Sequence, residues 1–329
     1  MATLDDIARQ LRISKSTVSK ALNGAEDVSE AMRRSVLETA VELGYSRAPR
    51  GTESPRIALF VTNMEYLSPE DFGYDIILGF RKLAEPAGFK VDIIPLTREM
   101  QRTMRYDEYM ILGHYQGSFF LGMSLSDPWL KEFETCNSPT VLYDNHITNN
   151  PRVTHVGVDN EEGIRLAVNY LHELGHRTIG YLSGDLQSYV YQKRLDAFSK
   201  ALVDHGLTVS PSLMGDSLDL STCLSVHLPR LLEQGCSAIV CSHDLYAQGI
   251  MTRCQELGYR VPEDISIIGF DDLPLCQHTT PPLTTIRQNR DELGRSAYCA
   301  LSSQLSQVPL STFLLHAELI RRDSCTELA

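Results

Sequence analysis

Apolar residues recur at helical spacing three times within the first 45 positions. In "TLDDIARQLRIS", Leu4, Ile7, Ala8 and Leu11 share one face, and Thr3 followed by Asp6 has the form of a capping box. A second short helix starts at Ser14 or Lys15, turns Val18, Ala21 and Leu22 inward, and stops at Asn23-Gly24. Ser29 caps a third, whose stripe runs Met32, Val36, Leu37, Ala40 and Leu43 before Gly44 ends it. Three short helices sharing one small core, with a tight turn between the first two, form a helix-turn-helix.

From Ile57 onward the pattern changes. Short β-branched or aromatic runs alternate with amphipathic stretches, and the strand candidates are "RIALFV", "KVDIIPL", "GSFFLGM", "TVLYDN", "RTIGYLSG", "SAIVCSHD" and "ISIIGFDD". Continuous apolar runs separated by helical patterns predict parallel sheets covered by helices on both faces. "AGF" at 87–89, "LGH" at 174–176 and "LGY" at 257–259 each end a helix with glycine just before a strand. About nine strands are many for one sheet, so the expected fold class is α/β, a three-helix headpiece followed by a two-subdomain core. Ligands of open α/β sheets bind beyond the carboxyl ends of the strands, which puts the expected site in the cleft between subdomains.

Composition narrows the function. The 329 residues are 43% hydrophobic, enough for about two packed domains. No signal-peptide pattern opens the chain and nowhere are there about 18 consecutive apolar residues, so a cytoplasmic protein is expected. The eight cysteines (136, 223, 236, 241, 254, 276, 299 and 325) form no C-x-x-C pair and read as reduced, buried small hydrophobes. The net charge is −12. Residues 1–50 nevertheless hold eight Lys/Arg and seven Asp/Glu, a net of +1, and the remainder carries −13. Contact with a polyanion therefore belongs to the N-terminal helices.

The second of those helices presents Lys15, Ser16, Thr17, Ser19 and Lys20 outward. Lysine reaches guanine acceptors and hydroxyls bond bases or phosphates, which suits a helix lying in the major groove. The segment "ATLDDIARQLRISKSTVSKALNG" with the following "VSEAMRRSVLETAVELGY" resembles the DNA-binding headpiece of the LacI/GalR family of bacterial transcription regulators, whose pattern runs V-S-x-x-T-V-S-R-x-L-N-G. The resemblance implies that Lys15, Ser16 and Lys20 face bases while Thr17 and Ser19 hold phosphates. Thr3 and Asn23 complete the candidate DNA-contacting set.

The rest of the chain also resembles this family, whose sensor core is similar to periplasmic sugar-binding proteins. The matching segments are "VGVDNEEGIRLAVNYLHELGHRTIGYLSG" (156–184), "RLDAF" (194–198), "LGYRVPEDISIIGFDDLPL" (257–275), "PPLTTIRQ" (281–288) and "IRRDS" (320–324). The implied division is a headpiece over 1–46, a linker over 47–56 and a core over 57–329. Subdomain 1 takes about 57–155 and 289–308, and subdomain 2 about 156–288 and 309–329. Arg194, His243 and Asp271 stand at helix starts or strand ends, where a guanidinium and a carboxylate can hold vicinal hydroxyls. The resemblance gives Arg194 and Asp271 an effector-binding role. His243 stands where the family usually has Asn, and an imidazole there would make binding depend on pH. Asp244 and Asp272, at the same strand ends, read either as further hydroxyl-binding carboxylates or as caps of the next helix. After the first strand, Phe72 and Gly73 fall on the family's aromatic pair, with Tyr66, Tyr74 and Asp75 as neighbours; such rings stack on a sugar or a purine.

"HELGH" at 172–176 satisfies H-E-x-x-H, but Gly175 reads as the end of the helix, which takes His176 off the face a zinc site needs. No metal, cofactor or catalytic residue is expected, since no G-x-S-x-G elbow, P-loop or dinucleotide fingerprint occurs. The linker "SRAPRGTESPR" is shorter than the family's, holds two prolines and a glycine, and lacks the leucine that wedges the minor groove; Arg47, Arg50 and Arg56 are its candidate phosphate contacts. The C-terminus carries no leucine heptad of the kind that forms tetramers. The expected protein is a dimeric repressor of carbohydrate genes that binds a palindromic operator and responds to a sugar. A purine-responsive co-repressor mode is the alternative within this class, and a sugar-binding protein without DNA function the rival outside it.

Overall fold

The computed structural model describes residues 2–45 and 54–328. Contacts divide the chain into two compact units. The first comprises Met1–Met64, Ile76–Val156 and Gly294–Phe313; the second comprises Glu65–Asp75, Gly157–Leu293 and Leu314–Ala329. Arg47 and Arg50, with most of the expected linker, lie outside the described residues.

The first unit starts with α1 (Leu4–Leu11), α2 (Lys15–Leu22) and α3 (Glu30–Glu42). Each begins on a hydroxyl cap: Thr3, Ser14 and Ser29 accept from the amides of Asp6, Thr17 and Met32. Such caps satisfy otherwise orphaned donors and are worth about 1 kcal/mol each. The α1 cap is reciprocal, because the Thr3 amide donates to Asp6 Oδ2 at 2.9 Å. Gly24 leaves α2 at φ +72°, a left-handed turn that glycine adopts without strain. Ile7, Val18, Ala21, Val36 and Ala40 are buried in one small core.

Strand and helix then alternate. The first unit continues with β1 (Arg56–Val61), α4 (Phe72–Ala84), β2 (Lys90–Pro95), α5 (Arg98–Thr103), α6 (Tyr106–Leu112), β3 (Tyr115–Leu121), α7 (Pro128–Glu132), β4 (Thr140–Tyr143) and β5 (Val153–Val158). Next come α8 (Asn160–Glu173), β6 (Ile179–Ser183), α9 (Tyr189–Asp204), β7 (Met214–Asp216), and α10 (Leu220–Thr222), which runs through a π-turn into α11 (Leu228–Glu233). The chain closes with β8 (Ala238–Cys241), α12 (Asp244–Glu256), β9 (Ser266–Asp271), β10 (Thr284–Arg287), α13 (Arg290–Leu305), β11 (Thr312–Leu315) and β12 (Glu318–Ile320).

The first unit's sheet has the order β11-β5-β4-β3-β1-β2, and the second's β12-β10-β9-β8-β6-β7. The pairs β2–β1–β3–β4–β5 and β7–β6–β8–β9–β10 are parallel, while β12 lies antiparallel to β10. Strand alternation decides the layers. In β8, Ala238 and Val240 join the core containing Ile164 and Phe198 of α8 and α9, whereas Ile239 and Cys241 join that of Leu231 and Ile250 from α11 and α12. In the first unit Phe60 and Phe120 pack with Tyr106 and Trp129, and Phe119 stacks on Phe80 of α4. No helix among the described residues is long and apolar enough to cross a membrane.

Several expectations change. Strands β5, β7, β10, β11 and β12 were absent from the seven candidate runs. Arg56 does not sit in a free linker: it opens β1, donates to Asp92 at 2.7 Å and to the Gly113 carbonyl, and lies over the Tyr115 ring. Glu65–Asp75, expected with the first subdomain, belongs to the second unit. Cys299 is exposed rather than buried.

Candidate functional site

On α2, Lys15, Ser16 and Lys20 are exposed while Thr17 and Ser19 are half-buried. The buried positions Val18, Ala21 and Leu22 fix this orientation by anchoring the opposite face. The half-buried hydroxyls already have partners: Thr17 Oγ1 lies 2.8 Å from Ser14 Oγ, and Asn23 Nδ2 lies 3.3 Å from Ser19 Oγ. Asn23 also donates to the Ser19 carbonyl at 2.5 Å, closing the end of the helix. Thr3 is committed to its capping box, its hydroxyl donating to Asp6 at 2.7 Å, and that bond holds the Asp6 carboxyl below its ordinary range. Each hydroxyl keeps further acceptor capacity, so a cap and an external bond are compatible.

In the second unit, Arg194 of α9 is only 2% exposed. Its Nε donates to Asn160 Oδ1 at 2.7 Å and its Nη1 to the Ser242 carbonyl. The guanidinium lies 3.6 Å above the Phe270 ring centroid, and Nη1 is 3.7 Å from Asp271 Oδ1. Gln288 donates to the same Asp271 oxygen at 2.7 Å. Asp271 sits at φ +118°, a backbone conformation that side chains rarely adopt, at the carboxyl end of β9. A buried, stacked arginine beside a carboxylate forms a rigid donor–acceptor pair, and neither the Asn160 nor the Ser242 bond uses Nη2.

His243 is the N-cap of α12, its Nδ1 accepting from the Tyr246 amide at 3.3 Å. Its ring packs against Tyr191 and Tyr246, with centroids 5.6 and 4.4 Å away. Burial drives its pKa from 6.5 down to about 4. The imidazole is therefore neutral near pH 7, contrary to the expectation that it makes binding depend on pH there. Asp244 and Asp272 are not caps. Asp244 is fully buried, accepts from the Leu273 amide at 2.8 Å and from the Thr285 hydroxyl at 2.6 Å, and burial raises its pKa. Asp272 is clamped by Arg287 at 2.7 Å and Arg322 at 2.6 Å. Both carboxylates tie strands and loops of the second sheet together.

Phe72 packs, partly buried, on the core of the second unit. Asp75 pairs with Arg290 at 3.1 Å, and Arg290 also donates to the Asp71 carbonyl; Tyr74 between them is half-buried. The two histidines of "HELGH" part company. His172 stacks on His205 with centroids 4.2 Å apart, and His176, past Gly175 at φ +90°, sits within 2.9 Å of Ser237 Oγ.

Sequence reasoning missed Asn160, Ser242, Phe270 and Gln288 around Arg194. All four stand in or just beyond a strand's carboxyl-terminal end, which was the available signal. In the first unit it also missed Asn145, buried just beyond β4, whose Nδ2 donates to the Met123 carbonyl and whose Oδ1 meets no partner among the described residues.

The profile described as bacterial regulatory proteins, lacI family, matches residues 3–48, and that of a periplasmic binding protein-like domain matches residues 168–325. The HTH-type transcriptional repressor CytR of Escherichia coli is 32% identical over 337 residues, covering 99% of this chain and 97% of its own. The repressor PurR of Aliivibrio salmonicida is 28% identical, with full coverage of both chains. Among solved structures, the transcriptional regulator CelR–cellobiose complex superposes with a TM-score of 0.71 at 25% identity, covering 98% of this chain and 100% of the other. The lac repressor dimer bound to operator and an anti-inducer reaches 0.66 at 24% identity, covering 100% and 99%, and bears on the fold alone.

Proposed function

The chain belongs to the LacI family of bacterial regulatory proteins and is a DNA-binding transcriptional repressor, and on that premise we propose that its repression answers to a sugar bound by Arg194 and Asp271. One observation carries this reading: the buried Arg194 guanidinium, stacked on Phe270 and set 3.7 Å from Asp271. Paired donors and acceptors on a rigid frame suit vicinal hydroxyls. The similarity to a regulator solved with cellobiose supports the same class of ligand. Phe72, Tyr74, Asp75 and His243 are the accessory contacts of this reading.

On the DNA side, Lys15, Ser16 and Lys20 read bases, while Thr3, Thr17, Ser19 and Asn23 hold the backbone and set the register. The operator is palindromic because the repressor acts as a homodimer. An open groove of about 400 Å³ supports the dimer; Leu220, Leu224 and Leu245 line it, and Leu218 nearby is 81% exposed. With DNA as its partner, the protein works in the cytoplasm.

A second reading, a planar nucleobase as co-repressor, is favoured by the ring cluster of Tyr191, His243 and Tyr246. A thermal-shift screen of full-length protein against mono- and disaccharides, sugar phosphates and nucleobases separates the two. A sugar that raises the melting point of the wild type, but not of Asp271→Asn, supports the first reading. A purine hit supports the second. No shift with any compound overturns small-molecule control through these residues.

A further inference from the structure

The reading helix α2 contains two lysines and no acid, yet both lysines are ion-paired within the headpiece. Lys15 Nζ lies 2.7 Å from Asp5 Oδ2, supplied by the first turn of α1. Lys20 is hydrogen-bonded to Asp27, supplied by the turn between α2 and α3. The Lys20 bond also holds the Asp27 carboxyl below its ordinary range. All four side chains are more than half exposed, so the acids stand on the same outward side as the lysines they meet.

We propose that Asp5 and Asp27 are specificity-determining residues of the headpiece, which position Lys15 and Lys20 and penalise contact with DNA that offers phosphates alone. The inference rests on α2 being the reading helix. On a bare phosphate lattice each lysine must leave its carboxylate, which is then left facing like charge. At a matching site both members of a pair find partners in the major groove: the ammonium bonds guanine O6 or N7, and the carboxylate accepts from a cytosine amino group. The acids therefore weaken random-sequence binding more than operator binding.

The test measures affinity and its salt dependence for full-length wild type, Asp5→Asn, Asp27→Asn and Asp27→Glu. The probes are a random-sequence duplex pool and the pool enriched from it by the wild type. Each Asn variant should bind the random pool about two- to fivefold more tightly, as expected for loss of an exposed ion pair that competes with phosphate. Its salt slope should steepen, the enriched pool should gain less, and Asp27→Glu should restore the wild-type ratio. An unchanged or increased ratio of enriched to random affinity in both Asn variants, with the wild type binding normally, overturns this inference alone. A wild type that binds neither pool in a salt-dependent way overturns the reading of α2 as well.

Discussion

The Arg194 guanidinium lies over the Phe270 ring, 3.6 Å from its centroid, while its Nη1 stands 3.7 Å from Asp271 Oδ1. Stacking, charge and fork geometry act together here, and lysine keeps only the charge. Arg194→Lys should lower stability by about 1–3 kcal/mol and abolish the effector-induced rise in melting point, while leaving DNA binding without effector intact. Denaturant titration and thermal shift check the first two effects. Loss of DNA binding along with the effector response would mean the substitution disturbs the fold as a whole.

A second prediction concerns packing. A Cβ on Gly294 would come within 1.9 Å of the Ile76 carbonyl oxygen and 2.6 Å of the Phe80 amide, where α13 meets α4. Backbone cannot yield as a flexible side chain does, so Gly294→Ala should destabilise by about 1–3 kcal/mol through overpacking. An unchanged urea midpoint contradicts the close approach.

How far the sequence revealed this architecture depends on how local each signal is. The caps Thr3, Ser14 and Ser29 sit beside the helices they start, and the apolar stripes of α1 to α3 need no distant partner to be read. Strand β5 hid because Thr154 and His155 interrupt its apolar pattern, although every residue of it is buried. Strands β7 and β12 span three residues each, too short for periodicity to register. The site shows the same division. Arg194 and Asp271 stood out through a resemblance, whereas the Asp5–Lys15 pair joins residues ten positions apart on different helices, which no local pattern encodes. Likewise, the assignment of Glu65–Asp75 to the second unit is a tertiary fact: Phe72 finds its core there, and Asp75 finds Arg290.

Acid should destabilise the protein through buried histidines. Burial lowers the pKa of His155 and of His243 from 6.5 to about 4. As pH falls through 6.5 the unfolded chain takes up these protons first, so stability present above pH 6.5 is lost progressively down to about pH 4. A shift of that size corresponds to about 3 kcal/mol per group over that interval. Urea titrations at neutral pH and at pH 5 should show the loss, and His155→Gln should reduce it. A His155→Gln variant with the wild-type pH dependence contradicts the assignment.

The leucine-lined groove gives a prediction about assembly. Leu218→Glu with Leu245→Glu places two charges on exposed leucines where the proposed partner protomer packs. Sedimentation should show a dimer for wild type and a monomer for the double variant, which should also bind DNA more weakly because paired half-sites are lost. A double variant that remains dimeric would mean that the partner covers a different face.

The most direct measurement is a fluorescence-anisotropy titration of full-length wild type and Lys20→Ala against the duplex pool enriched by the wild type, across a salt series. Wild-type affinity should fall steeply with salt, Lys20→Ala should bind about 5- to 150-fold more weakly, and the wild type should respond to the sugar found in the thermal screen. Lys20→Ala binding the enriched pool as tightly as wild type would contradict α2 as the reading helix. A wild-type affinity unmoved by the ligand that shifts its melting point would contradict effector control.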